Sequence, residues 1–450
     1  MNFKADRQTQ EDLNLPGKFK NNSIYSLFNK VNSTGGERLL EQLFVQPLKD
    51  AAAINQRSNV FRYFHHHPLD FPFDSDTLRQ MEDYLRSNAA GKWQESVVLI
   101  RKKWMQQLGM GKDFQPILEN LRLSIAVLNK LPDLLLSISH APLFGRLQEV
   151  RNILQLPGIQ ELLQYPAGKE LSFSKAILFN NLLRVRFRDH MDVLLRFIYE
   201  LDLYSTVGRV AAAENLNYAE ALPAEAGMIS IEECRHPLLK GAVANSLHLT
   251  GSNNVLFLTG ANMAGKSTFM KSFGIAVYLA HAGFPVAAKQ MRFSVMEGLY
   301  SSINVPDNLQ SGYSHFYAEV RRVKDIATDV SEGKNMVVIF DELFKGTNVK
   351  DAYDATLSVT RAFAGYPNCF YIISTHIIEV TEALASVPNI SFHYFPTIME
   401  GTVPRYTYRL QKGVTTDRHG MRIIHNEGII GIIRNGKHFE EGLLQDNRLT

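Results

Sequence analysis

Along the 450-residue chain the spacing of apolar positions changes character near residue 225. Before that point apolar residues recur at three- and four-residue steps, the repeat of one helix face. Phe179, Leu183, Phe187, Met191, Leu194, Ile198 and Leu201 follow this repeat inside a proline-free stretch from Lys169 to Leu222. Read as one helix, that stretch would reach about 60 Å at 1.5 Å per residue; read as two, the break falls near Gly208. After residue 225 short apolar runs alternate with helical patterns. Val255–Thr259, Met336–Phe340 and Phe370–Ser374 read as buried strands of a largely parallel sheet. Each ends at a polar cluster, where open α/β sheets place their ligands. The expected architecture is an all-α domain over residues 1–225 followed by an α/β domain over residues 226–450.

Composition changes this picture only at its edges. Hydrophobic residues make up 45% of the chain and charged residues 21%, an ordinary balance for a soluble protein. A net charge of +3 creates no global field for a polyanion, so any nucleic-acid contact must come from a local patch. Two stretches qualify: Trp93, Arg101, Lys102, Lys103 and Trp104, and the alternating Arg184, Arg186 and Arg188. Each reads either as a phosphate contact or as a solvated face. The run His65-His66-His67 reads as a loop in preference to a metal site. No apolar run reaches membrane-spanning length, and the polar residues Met1 to Lys20 do not resemble a secretory leader. With only two cysteines, Cys234 and Cys369, the expected location is the reducing cytoplasm.

Three motifs in the second half carry chemistry. Gly260-Ala261-Asn262-Met263-Ala264-Gly265-Lys266-Ser267 is a complete G-x-x-x-x-G-K-S directly after a predicted strand. Its glycines let backbone N–H groups face phosphate oxygens, Lys266 reaches the β- and γ-phosphates, and the Ser267 hydroxyl ligates Mg²⁺. Val337 to Glu342 is a buried strand delivering two carboxylates. Asp341 suits the Mg²⁺ shell, and Glu342 suits the general base on an attacking water. A third strand ends at Ser374-Thr375-His376, where His376 can sense the γ-phosphate. Between these motifs, Gly312-Tyr-Ser314 leads into a helix. It reads either as an anion site at a helix N-terminus or as a capped surface helix starting at Ser314.

These residues resemble the MutS DNA mismatch-repair ATPases. Leu258 to Thr268 is similar to that family's TGPNMGGKST, Asp341-Glu-Leu-Phe-Lys-Gly-Thr347 to its DELGRGT, and Ser374-Thr-His376 to its ATH. Cys234-Arg-His236-Pro237 with Asn245 resembles its RHP segment, and Ser314-His-Phe316 with Glu319 its STFxxE segment. Thr34-Gly-Gly-Glu-Arg38 and Leu201-Asp202 resemble parts of its lever. The resemblance implies an ABC-type P-loop ATPase with ATP and Mg²⁺ bound along Gly260–Thr268. It implies a homodimer in which Ser314 meets the γ-phosphate held by the partner copy, and an adenine stacked on Tyr408, with Tyr406 as the alternative. It also implies binding of mismatched or branched DNA. Departures are Ala261 and Ala264 in the P-loop, Phe344 and Lys345 after the carboxylate pair, and His315 in the signature. The mismatch-probing Phe-x-Glu wedge has no counterpart before Asn22, and Phe439-Glu-Glu441 matches its spelling only at the opposite end. A second functional class stays open: a nucleotide-switched protein-interaction module that does not grip DNA. A transporter-type ABC subunit fits poorly, because the helical half comes first and the signature lacks LSGGQ.

Overall fold

A computed structural model describes residues 3–17, 21–87, 114–165, 171–261, 263–303, 315–400, 403–415 and 428–434. Two compact units result. The first comprises Met1–Phe3, Asn14–Pro223 and Val277–Ala287; the second comprises Lys4–Leu13, Ala224–Ala276 and Ala288–Thr450.

The first unit is mainly helical. Its principal helices are α1 (Thr34–Val45), α2 (Ala51–His66), α3 (Ser75–Arg86), α4 (Phe173–Asn181) and α5 (Arg188–Ala213). Side-chain caps start the first three. Ser33 Oγ accepts the Gly36 N–H at 3.0 Å, and the Asp50 and Asp74 carboxylates accept from Ala53 and Thr77 at 2.7 and 2.8 Å. Phe64, Met81, Leu121, Leu128, Phe179, Leu194 and Phe197 are buried in one continuous core. A buried carboxylate fixes the start of α1 against α5: Asp202 accepts from the Asn32 and Ser33 backbone N–H groups at 3.0 and 2.7 Å and from the Ser33 hydroxyl at 2.6 Å.

The long periodic stretch is neither a single rod nor a helix broken at Gly208. It breaks earlier, where Leu182–Arg186 winds as a π-turn and the Phe187 N–H donates to Leu182 O at 2.8 Å. Through Gly208 the helix α5 continues unbroken. Glycine stands there because a Cβ would lie 2.6 Å from the Phe64 carbonyl carbon and 2.7 Å from the His65 nitrogen, so α2 and α5 cross backbone to backbone. Gly35 serves the same purpose in α1, since a Cβ would sit 2.2 Å from the Tyr199 ring.

Two further expectations are corrected. His65 and His66 form the last turn of α2 with His67 as its cap, not a loop; the buried stripe of Val60, Phe61 and Phe64 carries the helix that far. Arg184 is neither a solvated nor a phosphate-facing side chain. It is buried, donating to Ser87 O and Oγ at 2.6 and 2.9 Å with its guanidinium over the Tyr84 ring. Trp93 and Arg101 to Trp104 lie outside the described residues.

The second unit is mixed α/β. A six-stranded sheet is built from β1 (Val255–Thr259), β2 (Gly298–Ser302), β3 (Met336–Asp341), β4 (Phe370–Ser374), β5 (Ile390–Tyr394) and β6 (Gln411–Lys412). Its order is β6-β5-β1-β4-β3-β2, with only the short β6 antiparallel among these pairings. Every residue of β1 and β4 is buried, as expected of parallel strands covered on both faces. Helix α6 (Lys266–His281) follows β1, and α7 (His315–Ser331) lies between β2 and β3. The strand Met228–Cys234 pairs antiparallel with Asn245–Thr250 and with Gln290–Ser294.

The N-terminal segment extends the β2 edge, the Lys4 N–H donating to Glu297 O at 2.9 Å and Leu299 returning a bond to Lys4 O at 2.8 Å. Further along, Asp12 accepts from Ser301 Oγ and the Ile303 N–H at 2.7 and 2.9 Å, and Asp6 forms an ion pair with the buried Arg322 of α7.

Substituting Gly208 by valine should force α2 and α5 apart. Overpacking of this kind costs about 1–3 kcal/mol, so the urea midpoint of the helical unit should fall clearly below that of the wild type. An unchanged midpoint would remove the backbone crossing as the reason for this glycine.

Candidate functional site

Parallel strands deliver polar groups to one edge of the sheet. Thr259 ends β1, and the chain turns through Gly260–Gly265 into α6, which starts at Lys266. Gly260 and Gly265 have φ of +139° and +108°, values that side chains resist, so glycine is required at both turns. Ala264, which replaces a family glycine, is buried without difficulty. Met263 is 78% exposed at the loop tip with φ +65°. Asn262 and Ser314 lie outside the described residues.

Lys266 is buried and curls over its own loop, donating to Gly260 O at 2.8 Å and Ala261 O at 3.2 Å. Burial pushes its ammonium below the usual lysine value, against the opposing charges of Asp341 and Glu342.

Asp341 is the junction of the site. Its Oδ2 accepts from the Ser267 hydroxyl and its Oδ1 from the Ser374 hydroxyl, each at 2.5 Å. The sheet sets this geometry, since β3 and β4 pair with Asp341 opposite Ser374. Ser374 also receives the next residue: the Glu342 N–H donates to its carbonyl and lies 3.1 Å from its hydroxyl oxygen. The Glu342 backbone is left-handed, with φ +60°, which aims its carboxylate at His376. His376 Nε2 stands 2.5 Å from Glu342 Oε1. That hydrogen bond, opposed by burial, holds the Glu342 carboxyl below the usual glutamate range. Phe344, also left-handed at φ +61°, is buried with its ring 6.1 Å from Phe316 at the start of α7.

Beside the loop lies a cavity of about 310 Å³ whose walls include His236, Asn245, Gly265, Thr268, Phe269 and Tyr408. Asn245 fixes the tyrosine from behind, donating to Tyr408 O at 3.0 Å and accepting the Leu410 N–H at 2.7 Å. Tyr408 is 45% exposed, an aromatic face open at the cavity wall. His236 Nδ1 accepts the Leu238 N–H at 3.3 Å, and burial keeps its pKa below the ordinary histidine value. The ring is therefore neutral at neutral pH.

The described P-loop, Lys266, Ser267, Asp341, Glu342 and His376 thus meet at one end of the sheet, with Thr268 and Tyr408 at the neighbouring cavity. Residues 256–440 match the family model for MutS domain V. Over this region the chain carries domain V of the MutS family. Domain V is the ATPase domain of MutS proteins, so the strand ends described above fall within an ATPase-type domain. One residue of this domain and one contact lie beyond the motif reading. Ser374 was noticed only as the residue before Thr375-His376, although a serine ending the strand beside Asp341 was the available signal. The retention of Lys266 by its own loop leaves no trace in the sequence. No helix among the described residues is long and apolar enough to cross a membrane.

Replacing His376 by alanine removes the donor that favours the ionised Glu342 carboxylate. Its pKa should rise toward or past the ordinary glutamate value, read from the ¹³C chemical shift of labelled glutamate during a pH titration. A downward or absent change would contradict the pairing.

Proposed function

We propose that the chain is an ABC-type P-loop ATPase of the MutS kind, in which nucleotide binding and hydrolysis control a dimer that acts on mismatched or branched DNA. The observation that carries this reading is the convergence at Asp341: a P-loop serine on one carboxylate oxygen, a neighbouring strand's serine on the other, and the Glu342–His376 pair next in the chain. Hard oxygen donors 2.5 Å apart suit Mg²⁺, and Ser267 and Asp341 are the residues that would hold it. When bound, the ion supplies charge neutralisation on the β- and γ-phosphate oxygens.

The protein's own groups do the rest. Lys266 exchanges the carbonyls of Gly260 and Ala261 for phosphate oxygens and neutralises their charge. Glu342, kept ionised by His376, accepts the proton of the attacking water. His376 positions that carboxylate and lies within reach of the γ-phosphate. Tyr408 offers its ring to adenine, since base stacking needs only a π-face. Ser314 would complete the partner copy's site across a two-fold axis, so ATP favours the closed dimer through its higher affinity for that state.

Glu342→Gln should retain ATP binding while slowing hydrolysis on the order of a hundredfold or more. Lys266→Ala should weaken nucleotide binding itself. Phosphate-release rates with equilibrium binding of a fluorescent ATP analogue separate the two effects. Wild-type hydrolysis in Glu342→Gln would take the general-base role from Glu342 and with it this reading of the site.

A further inference from the structure

The first unit carries an open cleft of about 630 Å³ between α1, the end of α3 and α5. Its charged lining consists of Arg38, Arg86, Arg188 and Arg196 with a single carboxylate, Asp192. We propose that this cleft binds the phosphate backbone of a nucleic acid.

The cleft is held open by a buried anchor. Glu82 accepts from Arg38 Nη2 through both carboxylate oxygens, at 2.6 and 2.9 Å, from Arg86 at 2.7 Å and from the Tyr199 hydroxyl at 2.9 Å. Two guanidiniums thus share one carboxylate, so their combined charge is only half cancelled. Their side chains remain 52% and 61% exposed, with further N–H donors on each fork. Gly35 lets the Tyr199 ring lie directly against α1 in the cleft lining.

On the opposite wall, Arg188 and Arg196 stand eight residues apart on α5, about 12 Å along the helix. Arg196 bonds Glu200 at 3.2 Å, but Glu200 is also held by Arg146 at 3.0 Å, so this carboxylate is shared as well. Arg188 has no ion-pair partner among the described residues and is exposed. Four forks spread over three helices exceed what one small anion can engage, so the lining calls for a repeating anion. Arginine forks match phosphate oxygens in pairs. An acidic peptide would also want an apolar socket for an anchoring side chain, whereas Leu195 and Tyr199 of the lining are buried and Leu39 is half-buried against the core. A phosphodiester strand needs no such socket.

This assignment rests on the proposal that the chain acts on DNA, and its test can fail separately. The probe is a fluorescently labelled DNA duplex bound to the full-length chain, followed by anisotropy across a salt series. The variant is Arg188→Glu with Arg196→Glu. Arg146 still satisfies Glu200 in this variant, circular dichroism checks its fold against the new like-charge neighbours, and Arg188→Gln alone serves as a milder control. The double variant should lose at least tenfold in affinity. Its log–log salt dependence should become shallower by about two, because each phosphate contact contributes roughly 0.9 to that slope. Arg188→Gln should flatten it by about one such step. Basal ATP hydrolysis should not change.

Wild-type affinity and slope in the double variant would overturn the cleft while leaving DNA binding elsewhere intact. Absence of duplex binding in the wild type would overturn both this proposal and the DNA part of the functional reading, without touching the ATPase result from Glu342→Gln. Binding of poly-glutamate but not duplex, lost in the double variant, would assign the cleft to an acidic protein partner and overturn the nucleic-acid assignment. Displacement of the duplex by millimolar inorganic phosphate, with equally tight phosphate binding in the wild type, would assign it to a free anion instead.

Discussion

The register of three parallel strands governs the chemistry of the second unit. Because β4 lies between β1 and β3, the residue ending β4 stands beside the carboxylate ending β3, and the loop leaving β1 rises next to both. Asp341 can then hold the hydroxyls of Ser267 and Ser374 at once. A slip of one residue in β4 would turn Ser374 to the other face. Ser374 would then leave Asp341, and Glu342 would lose the partner of its backbone N–H. What holds the register is the pairing itself, Val255–Leu258 set against Tyr371–Ser374 and Val337–Asp341 against Phe370–Ser374.

What could be read from the sequence follows from how local each feature is. The P-loop is contiguous and its glycines announce the turns they make, so its place between strand and helix was legible. The carboxylate pair was legible for the same reason, an apolar strand running straight into Asp341-Glu342. Ser374 on Asp341 was not, because it depends on which strands are neighbours, and chain order alone does not state that β4 inserts between β1 and β3. Tyr408 lay within reach of spacing arguments, but its anchor, Asn245, is 163 residues away in sequence.

The helical half shows the same division. Periodicity located α4 and α5 but misplaced the break, because glycine can end a helix or admit a neighbour, and only the position of α2 distinguishes the two uses at Gly208. Arg184 looked like its neighbours Arg186 and Arg188 until the π-turn rotated it inward onto Ser87. One half-turn of backbone thus separates a buried structural cation from two exposed ones.

The hold of Lys266 on its own loop bears on which ligands the site can tell apart. A lysine already satisfied by two carbonyls gains nothing from an incoming molecule unless that molecule offers better acceptors in the same place. Adenosine, which carries no phosphate, brings no such acceptor and would meet only the stacking face. A triphosphate brings clustered anionic oxygens that outcompete neutral carbonyls. In the ATP reading of the site, the loop's own carbonyls are therefore the competitor that an incoming phosphate must displace before Lys266 contributes to binding.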